Sequence, residues 1–189
     1  MKLNLQPVTA ERLQKLVGSS TYDFLGFLLD LKTCTLTDRF NGDYSGKVGE
    51  WKTMLLSVLL SHYAESKPTP TTGELIKFKD LPGGTAYEGA FVELAINPIA
   101  KYFGQDPVDL MQAAELLGGK PLTLGDVSAE IPSLKGIPLT YILWGAEEFP
   151  ASGSILYDKS ASCYLPTEDL AVLGEVTTAR LLEAKISLT

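Results

Sequence analysis

The run LTYILW, residues 139–144, constrains this 189-residue chain more than any other stretch. A strand sends successive side chains to opposite faces, and this one is apolar on both, so it must lie inside a sheet rather than at its edge. Residues 122–129 offer a second strand, residues 75–78 a short one ahead of the Pro82-Gly83-Gly84 turn, and residues 155–157 another. FLGFLLDLKTCTLT, residues 24–37, has high β propensity, with Phe27, Leu29 and Leu31 alternating onto one face; whether Lys32-Thr33 turns the chain there stays open.

Helical spacing fills much of the remainder. TAERLQKLV, residues 9–17, reads as a short helix with Thr9 as N-cap and Gly18 past its end. Residues 50–65 set Trp51, Met54, Leu55, Val58, Leu59 and His62 on one face, with Leu56, Leu60 and Tyr63 widening it, which predicts a helix central to the core. In residues 86–103 a face of Tyr87, Ala90, Phe91, Leu94 and Ala95 runs into Pro98, which has no N–H for Leu94 and kinks or divides the helix. Asp106-Pro107 opens a third helix and Gly118-Gly119 closes it. In the last, residues 168–186, Thr167 is the expected cap and Val172, Val176, Ala179, Leu182 and Ile186 the expected apolar stripe. Helices bunch in the middle and strands fall in pairs, without the alternation that builds a doubly wound sheet. The expectation is an α+β fold, a single domain over residues 1–189, with a small, mostly antiparallel sheet packed against about five helices.

The formal charge of −7, with 16 scattered basic residues, argues against nucleic acid, because phosphate binding needs clustered Lys and Arg. An anionic membrane surface is disfavoured for the same reason, and the longest uncharged apolar-rich segment, residues 53–64, is too short for the roughly 20 residues of a membrane span. Asn4, Gln6 and Pro7 interrupt any secretory apolar stretch, so a cytoplasmic location is expected. Cys34 and Cys163, far apart and in no CxxC spacing, read as two small buried hydrophobes rather than a disulfide.

One histidine and two isolated cysteines cannot build the usual zinc sites, and no metal site is expected. The glycines of PGGTAYEGA and LLGGKPLTLGD lack phosphate-cradle spacing, and the loop from Asp38 departs from the calcium-loop pattern at Phe40. His62 could serve as a general base or as axial ligand to a haem or corrinoid metal; the favoured reading is a neutral histidine held in the core by a hydrogen bond. The acids Glu147, Glu148, Asp158, Glu168 and Asp169 admit paired-carboxylate chemistry or a hard-cation site. Asp158 has a local explanation in a turn, and Glu168 and Asp169 have one in the first turn of the last helix, where acids are favoured. Glu147-Glu148, directly after the buried strand and beside Trp144 and Phe149, has none, and marks the expected rim of a pocket.

Three stretches, TGELIKFKDLPGG from Thr72, ILWGAEEFP from Ile142 and ILYDKSASCYLPTEDLAVLG from Ile155, resemble the domain of unknown function 3786 family of anaerobic bacteria and archaea, over residues 24–182. The resemblance implies cytoplasmic relatives, some with an added cysteine-rich iron–sulfur segment, and a lean toward anaerobic cofactor metabolism; this chain has no four-cysteine run. It supplies no catalytic residues. The leading expectation is a non-enzymatic binding module for an organic cofactor of tetrapyrrole or corrinoid type, or for a redox partner protein. It rests on aromatics near polar loops (Tyr44, Trp51, Tyr63, Trp144, Phe149, Tyr157, Tyr164) and on the absence of a catalytic constellation; the candidate pocket is Glu147, Glu148, Phe149, Asp158, Trp144 and His62. Its rivals are a carboxylate-based or metal-assisted enzyme using the acidic loop 147–169 and a structural accessory subunit.

Overall fold

The computed structural model describes residues 1–40, 49–146 and 149–188, the first four of the second helix by backbone alone. Tyr44, Glu147, Glu148 and the side chain of Trp51 lie outside the described residues. What is described forms five helical rods and two antiparallel sheets around one contiguous apolar core, so the α+β expectation holds with two sheets in place of one.

The first sheet runs in the order β1 (Thr21–Phe24), β2 (Phe27–Asp30), β3 (Thr35–Asp38). Leu25-Gly26 joins β1 to β2 with both φ angles positive, 49° and 72°, as a primed two-residue turn demands. Lys32-Thr33 does turn the chain, because the Asp30 carboxylate accepts hydrogen bonds from the N–H groups of Lys32 (2.8 Å) and Thr33 (3.0 Å). The second sheet has the order β4 (Leu75–Lys77), β8 (Ser152–Asp158), β7 (Ile137–Trp144), β6 (Val127–Leu134), β5 (Lys120–Leu122). The doubly apolar run therefore occupies the central strand. The strand expected over residues 122–129 is instead cut in two: Ser128 Oγ accepts from the N–H of Leu124 (2.8 Å) and holds residues 123–126 as a loop between β5 and β6. Strands β6 and β7 meet through Lys135-Gly136, where Gly136 has φ of 85° and sits against the Tyr164 ring.

Helix α1 (Pro7–Val17) starts with proline in its first turn, and Thr9, expected as the cap, is buried inside it. In α2 (Gly49–Ala64) the expected core face is rotated, so that Leu59 and the widening residues point inward and the Met54 side outward. Met54 and Val58 are 63% and 47% exposed, while Leu56, Leu59, Leu60 and Tyr63 are buried. A helix apolar nearly all round leaves the choice of face to tertiary partners, and the polar tip of Tyr63 decides it. Its hydroxyl donates to the Lys135 carbonyl (2.6 Å), while Tyr22 Oη accepts from the Lys135 N–H (2.8 Å), so two tyrosines grip the tip of the β6–β7 hairpin. Burial pushes the Tyr22 hydroxyl up to about 12.

Pro98 divides the next rod, as expected, into α3 (Glu88–Phe91), a π turn (Val92–Ile96) and α4 (Asn97–Phe103). Phe91 and Ala95 are buried from its expected face, whereas Tyr87, Ala90 and Leu94 are exposed. After α5 (Val108–Leu116), the long α6 (Thr167–Ser187) crosses the core. Thr167 opens α6 without capping it; its hydroxyl donates to the Pro82 carbonyl (2.7 Å). The expected stripe holds in part: Val176 and Leu182 are buried and Ile186 is exposed, while the inward face is centred on Leu170, Leu173, Gly174, Thr177 and Leu181. Sheet tyrosines set that face, because Tyr157 Oη donates to the Leu170 carbonyl (2.8 Å) and Tyr141 Oη to that of Gly174 (3.2 Å). Both cysteines are free; contrary to expectation Cys34 is only half-buried and Cys163 is exposed.

The tightest polar cluster lies between the two halves of the chain. Arg180, fully buried on α6, donates from Nε to the Leu25 carbonyl (2.8 Å) and from both terminal nitrogens to Asp38 (2.7 and 2.9 Å). It also pairs with buried Glu183 one turn on. Its guanidinium lies 3.8 Å from the Phe27 ring centre and 4.6 Å from that of Phe40, so aromatic faces supply the contact that water would.

Candidate functional site

With α2 rotated onto Leu56, Leu59, Leu60 and Tyr63, Met54, Val58 and His62 form an outward row at helical spacing. His62 is therefore not the core residue the sequence suggests. The first turn of α6 brings Asp169 beneath it, and His62 Nδ1 lies 2.6 Å from Asp169 Oδ2. Asp169 is buried and His62 is exposed, so the carboxylate anchors one ring nitrogen and aims the other, Nε2, outward. In front lies a groove of about 410 Å³ lined by Asn4, Thr53, Met54, Ser57, Val58 and His62. Its hydroxyls are otherwise engaged. Ser57 Oγ donates to the Thr53 carbonyl (2.6 Å) and accepts from the Asn4 N–H (3.0 Å), and nearby Ser61 donates to the Ser57 carbonyl (2.7 Å). No side-chain nucleophile of the groove is hydrogen-bonded to the imidazole, so the arrangement is one that binds through Nε2 rather than one that activates a serine.

Asp158 has a different setting. It closes β8 and begins a short 3-10 turn, Lys159–Cys163. Its Oδ1 accepts from the N–H groups of Thr72 (2.9 Å) and Ser160 (2.9 Å) and from their hydroxyls (3.0 and 2.6 Å); Oδ2 accepts from the Gly73 N–H (2.7 Å). Burial pulls this carboxyl up, but the donors from Ser160, Thr72 and Gly73 outweigh it and hold Asp158 well below the usual carboxylate range. So saturated, it holds the segment around Thr72 and Gly73 against the sheet.

Trp144 and Phe149 stand at the far end of that sheet, 41% and 78% exposed; Trp144 pairs with Ser152, the residue farthest along β8 from Asp158. The strand separates them by about 20 Å, at about 3.3 Å for each residue. Glu168 faces solvent on α6 and accepts from Tyr87 Oη (2.8 Å); the hydrogen bond from its own backbone N–H and that from Tyr87 lower its carboxyl. The structure thus sets Trp144 with Phe149, Asp158, and His62 in three places. Tyr63, Tyr157 and Tyr164 are buried core residues. Asp169, legible in the sequence as a helix-start acid, gains a second role as partner of His62. No local signal announces that role, since 107 residues separate the two.

Among the described residues no three His, Cys, Asp or Glu side chains gather as a metal site, and no helix is long and apolar enough to cross a membrane. No curated protein and no solved structure matches the chain. The model of one family, Domain of unknown function (DUF3786), matches residues 32–180, and that span takes in β3 through most of α6, with Asp38, His62, Asp158, Asp169 and Arg180. The chain belongs to that family.

Proposed function

We propose that this protein is a binding module for a metal-bearing organic cofactor of the tetrapyrrole or corrinoid class, held through His62. The supporting observation is the His62–Asp169 pair at the end of the exposed Met54–Val58 row. A metal-ligating histidine characteristically donates its other N–H to a carboxylate, which fixes the ring and strengthens the ligand. The donor set suits a cofactor that brings its own equatorial nitrogens, because one imidazole on an apolar shelf supplies an axial bond and a face to stack on. When bound, such a group supplies metal-centred redox or ligand-exchange chemistry; the chain contributes Nε2, the orienting carboxylate and apolar cover from Met54 and Val58.

Titration of the purified protein with hemin and with aquocobinamide, followed by visible absorption, tests this. The expected result is a saturable one-to-one spectral change that His62→Ala abolishes and Asp169→Asn weakens by about 10- to 100-fold. Binding with an unchanged spectrum in a folded His62→Ala variant, or no binding of either cofactor to the wild type, would overturn it.

A further inference from the structure

We infer that the outer face of the five-stranded sheet carries a second binding site, selective for a small amphipathic amine. Side chains of one parity, including Ile131, Leu139, Tyr141 and Tyr157, point into the core. Those of the other parity cross the sheet as Lys120, Glu130, Thr140, Leu156 and Lys77, paired in register, and this row faces away from the core, with its two lysines exposed at the outer strands. A groove of about 400 Å³ lies along it, within the size range of small-molecule sites. Leu75, Leu122, Leu124 and Pro138 give it apolar sides.

Both walls are pinned. On one side Asp158 fixes Thr72 and Gly73, and Tyr164 Oη both donates to the Thr69 carbonyl (2.7 Å) and accepts from its N–H (2.8 Å). On the other, Ser128 Oγ holds Leu124. The concavity is part of the fold, pre-organised rather than formed by moving loops.

Among its polar side chains without partners in the described residues, Thr71 and Thr123 are exposed, and Thr140 and Glu130 are the two that are not. Thr140 is only 2% exposed, yet its hydroxyl makes no hydrogen bond to a described residue. No buried side-chain oxygen or nitrogen among the described residues lacks a partner, so the Thr140 hydroxyl opens to the groove and stays available to a group arriving there. Glu130 beside it is half-buried and forms no ion pair, not even with its cross-strand neighbour Lys120. Asp158, the other acid of the lining, already has its donors. No Lys, Arg or His lines the groove. A free carboxylate and a free hydroxyl between leucine walls complement an ammonium group carrying a short hydrocarbon, and they repel a carboxylate or phosphate.

Methyl and amide NMR titration of the full chain with 1-hexylamine, hexan-1-ol and hexanoate at equal concentrations tests this. Expected are saturable shifts centred on Leu122, Leu124, Glu130 and Thr140 with the amine, at least tenfold weaker binding of hexanoate and hexanol, a similar loss in Glu130→Gln, and a smaller one in Thr140→Val. Equal affinity for amine and alcohol, unchanged affinity in folded Glu130→Gln, or shifts centred elsewhere would overturn it. His62 takes no part, so this site and the cofactor reading fail or stand separately.

Discussion

Replacing Arg180 with methionine isolates the contribution of the buried ion cluster. Methionine has similar length and fills the slot between Phe27 and Phe40, so packing changes little while the cation and its donors disappear. Asp38 then loses both of its bonds to the guanidinium, Glu183 loses its cation one turn away, and the Leu25 carbonyl in its primed turn loses the Nε donor. Two carboxylates losing the cation they share, one of them buried, predict a cost of about 3–5 kcal/mol. For a chain of this length that is a fall in melting temperature of roughly 6–20 °C. Urea and thermal unfolding followed by circular dichroism measure it. The electrostatic origin has its own control: adding Asp38→Asn and Glu183→Gln to Arg180→Met removes the two negative charges that the guanidinium balanced and should recover more than half of the loss. A cost below about 1 kcal/mol for Arg180→Met, or no recovery in the triple variant, would refute the assignment of the stability to charge pairing.

Asp158→Asn should cost about 2–4 kcal/mol at pH 7, since a charged acceptor of five donors is replaced by a group that is half donor. Because the folded carboxyl titrates below its ordinary value of 3.8, its contribution is complete above that value and drains away as pH falls through it toward the lower folded one. Wild-type stability should therefore drop more steeply than the variant's below about pH 4, and parallel acid limbs in urea titrations would count against the clamp. Gly136→Ala should destabilise by about 1–3 kcal/mol, combining a left-handed backbone at φ of 85° with a Cβ that would collide with Tyr164 Oη, and calorimetry reads it directly.

Where a segment's own pattern decides its structure, the sequence was legible. The doubly apolar LTYILW run became the central strand, Pro98 split its helix, and residues 27–31 alternated as expected. Orientation was not legible, because α2 and α6 are apolar over so much of their circumference that the inward face depends on which hydroxyls reach across. Tyr63 on Lys135 and Tyr157 on Leu170 are long-range bonds that no local window contains. The same rotation of α2 moved His62 from core to surface and changed its meaning. At Leu25-Gly26 the turn was hidden because leucine occupies a positive-φ site where asparagine or aspartate is usual; Gly26 was its one local sign. The Arg180 cluster was equally silent, its members lying at positions 25, 38, 180 and 183.

The π turn at Val92–Ile96 leaves an imprint on spacing. Along its rod the fully buried residues are Phe91, Ala95, Ile99 and Phe103, each four positions after the last. In an ordinary helix every four-residue step overshoots a full turn by about 40°, so such a row would wind away from the core. The wider turn takes back part of that drift and, with the Ala95 carbonyl accepting from Thr178 Oγ1 (3.0 Å), keeps the row aimed at α6. The rod is thus counted in fours, and its length is under constraint even where its side chains are not: losing one residue between 92 and 96 would leave a tidier helix pointing Ile99 and Phe103 at the wrong neighbours.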